Sequence, residues 1–117
     1  MSKLRRRIGK IKAWLDLNFP TKRDVMLRVA EMPKEYRDCL GTYSVRDGRR
    51  KALIRVSADC PISQQIDTLC HEWSHARIDP DMESGCLWHG GHTNEFYLEY
   101  GRIERALMKA MEGELKA

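Results

Sequence analysis

At 117 residues the chain is long enough for one modest hydrophobic core and too short for two. With 42% apolar and 32% charged residues it has the composition of a folded globular domain and not of a disordered or membrane-embedded chain. The net charge of +4 is concentrated at the amino terminus, where the first twelve residues hold six Lys or Arg and no acid, leaving about −2 for the rest. A single domain over 1–117 is expected, and a cytoplasmic one. Lys10, Lys12 and Asp16 interrupt any secretory apolar segment, and no run approaches the length of a membrane span.

Leu4, Ile8, Ile11 and Leu15 recur at helical spacing, so an amphipathic helix is expected from about Lys3 to Leu17, ending before Phe19-Pro20. Its basic segment, 1–12, is either a solvated helix face or an anchor for nucleic acid or another polyanion. The β-branched, apolar run Asp24 to Ala30 reads as a strand stopped by Met32-Pro33. Leu40 to Val45 and Ala52 to Ser57 read as two more, joined through Asp47-Gly48, a strong hairpin signal. A helix should follow from Pro61 to about Ile78, where Asp79-Pro80 ends it. The Gly-containing stretch from Pro80 to His92 lacks periodicity and reads as a loop. Thr93 is placed to cap a last helix carrying Phe96, Tyr100, Ile103, Leu107 and Met111 at three- and four-residue spacing. The order predicts an α+β domain: a helix, a small three-stranded and mainly antiparallel sheet, a second helix, a loop and a closing helix.

The second helix carries the chemistry. His71-Glu72-Trp73-Ser74-His75 is HExxH, and on a helix the two histidines lie one turn apart, about 40° from each other, where both imidazoles can reach one ion. Ile62, Ile66, Leu69, Trp73 and Ala76 form an apolar stripe, Thr68, His71, Glu72 and His75 a separate polar face, and Ser63, Asp67, Ser74 and Arg77 a third, solvent-facing arc. Zinc suits such ligands, and a catalytic zinc takes three protein ligands with one position left for water. His71 and His75 supply two, and Glu72 is the expected general base. For the third, His92 is favoured because it immediately precedes a helix start, with His89, Glu95 and Cys86 as alternatives and Glu83 also within the loop. Other divalent metals also bind histidine-rich sites.

From His71 to Leu107 the sequence resembles the SprT-like zinc metallopeptidases, particularly short versions among phage and prophage proteins. That group pairs HExxH with a downstream HGxxF-type element, to which His92-Thr93-Asn94-Glu95-Phe96 is similar, with Thr93 where the group has glycine. The resemblance implies a minimal zincin fold, one zinc per chain, and hydrolysis of a peptide or protein substrate by metal-activated water. Some members of the group act as DNA-dependent proteases. The cysteine-rich second zinc module that many members carry has no counterpart among Cys39, Cys60, Cys70 and Cys86, which show no CxxC pair.

Around this site, Tyr97, Tyr100, Trp88 and His89 are candidates to contact substrate or the developing oxyanion. Trp14 and Trp73 are expected in the core, and the cysteines are expected to be free thiols, with Cys39, Cys60 and Cys70 as small buried hydrophobes. Asp79 and Asp81 are either turn residues or second partners of a ligand histidine. Ala52 to Ser57 is the expected edge strand for an extended substrate. The rival functions are a nucleic-acid-associated or regulatory zinc-binding protein without peptidase activity.

Overall fold

The computed structural model of the chain describes residues 3–36, 39–46, 48, 50–83, 92–113 and 115. Helix α1 (Lys3–Asn18) is followed by β1 (Asp24–Ala30), a 3-10 turn at Lys34–Tyr36, β2 (Gly41–Arg46), β3 (Lys51–Ser57), α2 (Ile62–Ile78) and α3 (Asn94–Glu112). These bounds lie within a residue or two of those that periodicity predicts. Gly48 adopts a φ of +60°, the left-handed conformation that a turn between β2 and β3 requires.

The sheet departs from expectation in one respect. Its order is β1-β3-β2, with β2 and β3 antiparallel but β1 and β3 parallel, so it is mixed and not mainly antiparallel. The connection that leaves β1 passes over the end of the sheet before β2 begins, because Ala30 pairs with Ser57 and Gly41 with Val56 at that same end. Residues 52–57 therefore belong to the central strand, and the edges are β1 and β2. The expected edge strand is thereby corrected.

One face of the sheet and all three helices share a single core. Ile8, Ile11, Trp14 and Leu15 of α1 meet Val25, Tyr43, Ile54 and Val56 of the sheet, Leu69, Cys70, Trp73 and Ala76 of α2, and Ile103 and Leu107 of α3. Helix α2 is the centre of this arrangement, touching α1, α3, β2 and β3. Its third arc is consequently covered in part: Ser63 is exposed and Asp67 and Arg77 are half-buried, but Ser74, expected to face solvent, is 0% exposed, and its hydroxyl donates to the Cys70 carbonyl at 2.8 Å. Position on a helix wheel cannot show how many neighbours the helix will have.

Polar ties fix where α2 begins and ends. The Trp73 indole N–H donates to the Phe19 carbonyl at 2.8 Å, joining the end of α1 to the middle of α2. Beyond α2, the Pro80 carbonyl accepts from Arg23 and from the Tyr43 hydroxyl, each at 2.6 Å, and Asp81 pairs with Arg23. The Asp79 N–H closes the helix on the His75 carbonyl at 2.9 Å. Asp79 and Asp81 thus act in the turn.

Cys60 and Cys70 are free, as expected, whereas Cys39 lies in a disulfide, against the expectation of free thiols throughout. Cys70 is buried and Cys60 half-buried, so of those two only Cys70 behaves as a core residue. Among the described residues, no helix is long and apolar enough to cross a membrane.

Candidate metal centre

Helix α2 sets His71 and His75 one turn apart with ring centroids 5.1 Å from each other, and Glu72 sits beside them, only 5% exposed. The third histidine arrives from the other direction. His92 stands just ahead of Thr93, whose hydroxyl accepts from the Phe96 N–H at 3.1 Å and so starts α3. The helix start holds His92 over α2, with its Nε2 3.2 Å from Nε2 of His75. Thr93 is thus the cap that fixes the position of His92 next to it.

Ligand atoms of His71, His75 and His92 all lie within 4.8 Å of one another. A tetrahedral zinc with bonds of about 2.0–2.1 Å sets its nitrogen ligands roughly 3.3–3.4 Å apart, and the 3.2 Å between His75 and His92 is close to that edge. The donor set fits chemically as well. Burial, followed by the proximity of His92, lowers the His71 pKa, and burial, followed by His71 and His92, pushes His75 down to about 4. Both rings are therefore neutral near pH 7 and can offer lone pairs, the form a metal requires.

Phe96 is the floor of the site. It is fully buried, with its ring centroid 5.1 Å from His71, 4.5 Å from His75 and 4.6 Å from His92, nearly parallel to the last. A rigid aromatic touching all three imidazoles limits the rotamers each can adopt, so little freedom is lost on binding an ion. The angle of α3 is set further along by Glu99, buried between the two helices. It pairs with Arg77 of α2 and with Arg102 at 2.7 Å. Burial alone would raise the Glu99 pKa, but the guanidiniums of Arg102 and Arg77 hold it below its usual value.

Of the other candidates, Glu95 is exposed on the first turn of α3 and outside the cluster, and Glu83 is engaged elsewhere, accepting from the Val45 N–H at 2.9 Å. His89, Cys86 and Trp88 lie outside the described residues. Tyr97 is 56% exposed with its ring edge-on to His92 at 5.8 Å, open to a substrate. Tyr100 is edge-on to His71 at 5.5 Å, but its hydroxyl donates to Asp67. Burial and that hydrogen bond raise its pKa, which leaves the hydroxyl protonated and committed away from the ligand nitrogens. Cys70 takes no part, since burial pushes its thiol up to about 12.

Neither a family model, nor a curated protein, nor a solved structure matches this chain. The site must therefore be read on its own geometry. One contributor to it has no signature in the sequence: Gly41, at the start of β2. A Cβ there would meet the Thr68 methyl at 2.4 Å and the Arg55 carbonyl at 2.7 Å, with Glu72 Cγ at 3.6 Å. Only a residue without a side chain lets β2 pass so close to α2, and the passage walls in Glu72. Glu99 is a second omission; its spacing to Arg102 shows a surface pair, but its bond to Arg77 needs the fold.

The lowered histidine pKa values make the metal-free protein sensitive to acid. In the unfolded chain His75 titrates near its ordinary 6.5, so between there and about 4 the unfolded state binds more protons and folding is penalised. Stability present above the unfolded value is lost as pH falls through this window, by on the order of 2 kcal/mol at about pH 5 from His75 alone. Urea unfolding of EDTA-treated protein is expected to show this loss, and the His75→Ala variant to lack that share of it.

Proposed function

We propose that this chain is a zinc-dependent peptidase of SprT-like type, with zinc held by His71, His75 and His92 and with Glu72 as the general base. The observation that carries the proposal is the convergence of three imidazoles, two from α2 and one from the residue just ahead of the α3 cap, beside a buried glutamate. Phe96, at the position of the family aromatic and beneath all three rings, supports the same reading.

Zinc, when bound, supplies Lewis acidity toward a water and the scissile carbonyl. The chain's own groups then have defined tasks. Glu72 accepts the proton of the attacking water at its carboxylate and passes it to the leaving amine. Its burial between β2 and α2 keeps it from swinging into solvent and strengthens its action on nearby charge. Tyr97, exposed beside His92, is the aromatic placed to contact substrate.

An extended peptide is proposed to lie along β2, the edge strand that passes Glu72. The Val45 N–H points outward to Glu83, so by alternation those of Gly41 and Tyr43 point to the same outer edge. The cytoplasmic location expected from the sequence is not part of this proposal, because the Cys39 disulfide is a bond that oxidising compartments favour. Hydrolysis of a dye-labelled, unfolded protein such as casein tests the activity. It is expected to stop with a chelator and to return when zinc is added; activity that survives complete metal removal would refute the proposal.

A further inference from the structure

Two adjacent residues of α3 reach in opposite directions along α2. Glu99 pairs with Arg77, beyond His75, and the Tyr100 hydroxyl donates to Asp67, ahead of His71. Asp67 and Arg77 are ten residues apart on one helix, about 15 Å, and His71 and His75 lie between them. Helix α3 is therefore pinned to α2 on either side of the two histidines. Two pins, unlike one, resist a pivot.

The pins bear on the third histidine through a lever. His92 stands eight residues before Tyr100, an arm of roughly 12 Å along the axis of α3. A pivot of about 5° over that arm would carry the imidazole about 1 Å, several times the roughly 0.2 Å within which metal–ligand distances fall. Phe96 packs beneath the three rings, but an apolar contact has no direction and tolerates sliding, whereas a hydrogen bond does not.

The pin at Asp67 is itself held in place. The Tyr100 ring is edge-on to His71 at 5.5 Å and tilted against Phe96 at 5.9 Å, which fixes the approach of its hydroxyl. Glu104, one turn further along α3, lies against the same carboxylate, and burial followed by its hydrogen bond with Asp67 raises its pKa. A phenylalanine at position 100 would make the same ring contacts, so what the hydroxyl adds is the bond to Asp67. We propose that Tyr100 and Asp67 are positioning residues of the metal centre, whose hydrogen bond fixes the pivot of α3 on α2 and with it the reach of His92 toward His71 and His75. The inference rests on the reading of these three histidines as zinc ligands.

Three measurements on the full chain test it together: zinc affinity by competition with a chelator, the visible spectrum of the cobalt(II)-loaded protein, and the thermal midpoint of the metal-free protein. Tyr100→Phe is expected to weaken zinc binding about tenfold, the lower end of the effect of groups that hold metal ligands in place, and to alter the cobalt spectrum. Asp67→Ala should do the same. The double variant should bind no more weakly than either single one, because all three break one bond. Asp67→Asn keeps an acceptor oxygen for the Tyr100 hydroxyl and is expected to stay within about threefold of wild type. A bond that served folding alone would lower the metal-free midpoint and leave zinc affinity and the cobalt spectrum as in wild type, and that result would overturn the inference. A double variant whose loss is the sum of the single losses would overturn it too. Where wild type itself binds zinc, either result removes the positioning role and leaves the metal centre standing; a wild type that cannot be loaded with zinc removes both.

Discussion

Replacing Glu72 with glutamine is expected to lower the rate of peptide hydrolysis by about 10²–10⁴ while zinc stays bound, the usual weight of a positioned general base. Glutamine keeps the side chain's size and so its packing beneath Gly41, where Glu72 Cγ would lie 3.6 Å from any added Cβ. It removes only the ability to take and return a proton. Zinc content and thermal midpoint should therefore resemble those of the wild type while turnover of a labelled unfolded protein collapses. A variant that holds zinc and retains full activity would show that another group moves the proton, and the assignment of Glu72 would fail. In the wild type itself, zinc binding without hydrolysis would favour the rival reading of a regulatory or nucleic-acid-associated zinc protein.

Trp73→Ala is expected to cost about 3–5 kcal/mol of folding stability, in line with removal of other large buried aromatics. Trp73 is 0% exposed, packs in the core that joins α1, α2, α3 and the sheet, and donates to the Phe19 carbonyl at 2.8 Å. Truncation would open a cavity in that core and leave the carbonyl short of a partner. Against a typical stability of about 5–15 kcal/mol, the loss corresponds to a fall in thermal midpoint of roughly 10–20 °C. Because the residue lies between His71 and His75 in the chain, zinc affinity should fall with it. Trp73→Phe retains most of the ring volume and loses only the N–H, so a smaller cost of about 1–3 kcal/mol is expected. Equal effects of the two substitutions in calorimetry would contradict the packing account.

Elements of this fold are legible in the sequence where a single chain segment carries its own signal. The period of Ile8, Ile11 and Leu15 marks α1, Asp79-Pro80 ends α2, and Thr93 caps α3. HExxH places His71 and His75 on one side of α2 because i, i+4 spacing is a property of the helix alone. His92 is legible for a related reason, its place beside a helix start. What depends on how segments meet is not legible. The β1–β3 pairing follows from the path between Ala30 and Gly41, which no alternation pattern encodes, and so the edge strand is misplaced. Ser74 is buried because α2 packs against α1, α3 and the sheet, and Gly41 matters because β2 comes within contact of Glu72. Neither fact is local.

Whether His71, His75 and His92 together hold one zinc is decided by the zinc content per chain of protein purified without added metal. About one zinc per chain is expected for wild type and for Glu72→Gln, and none for His92→Ala. Wild-type protein that holds no zinc and cannot be loaded with it would contradict the account, and so would a His92→Ala variant that stays full while His89→Ala is empty.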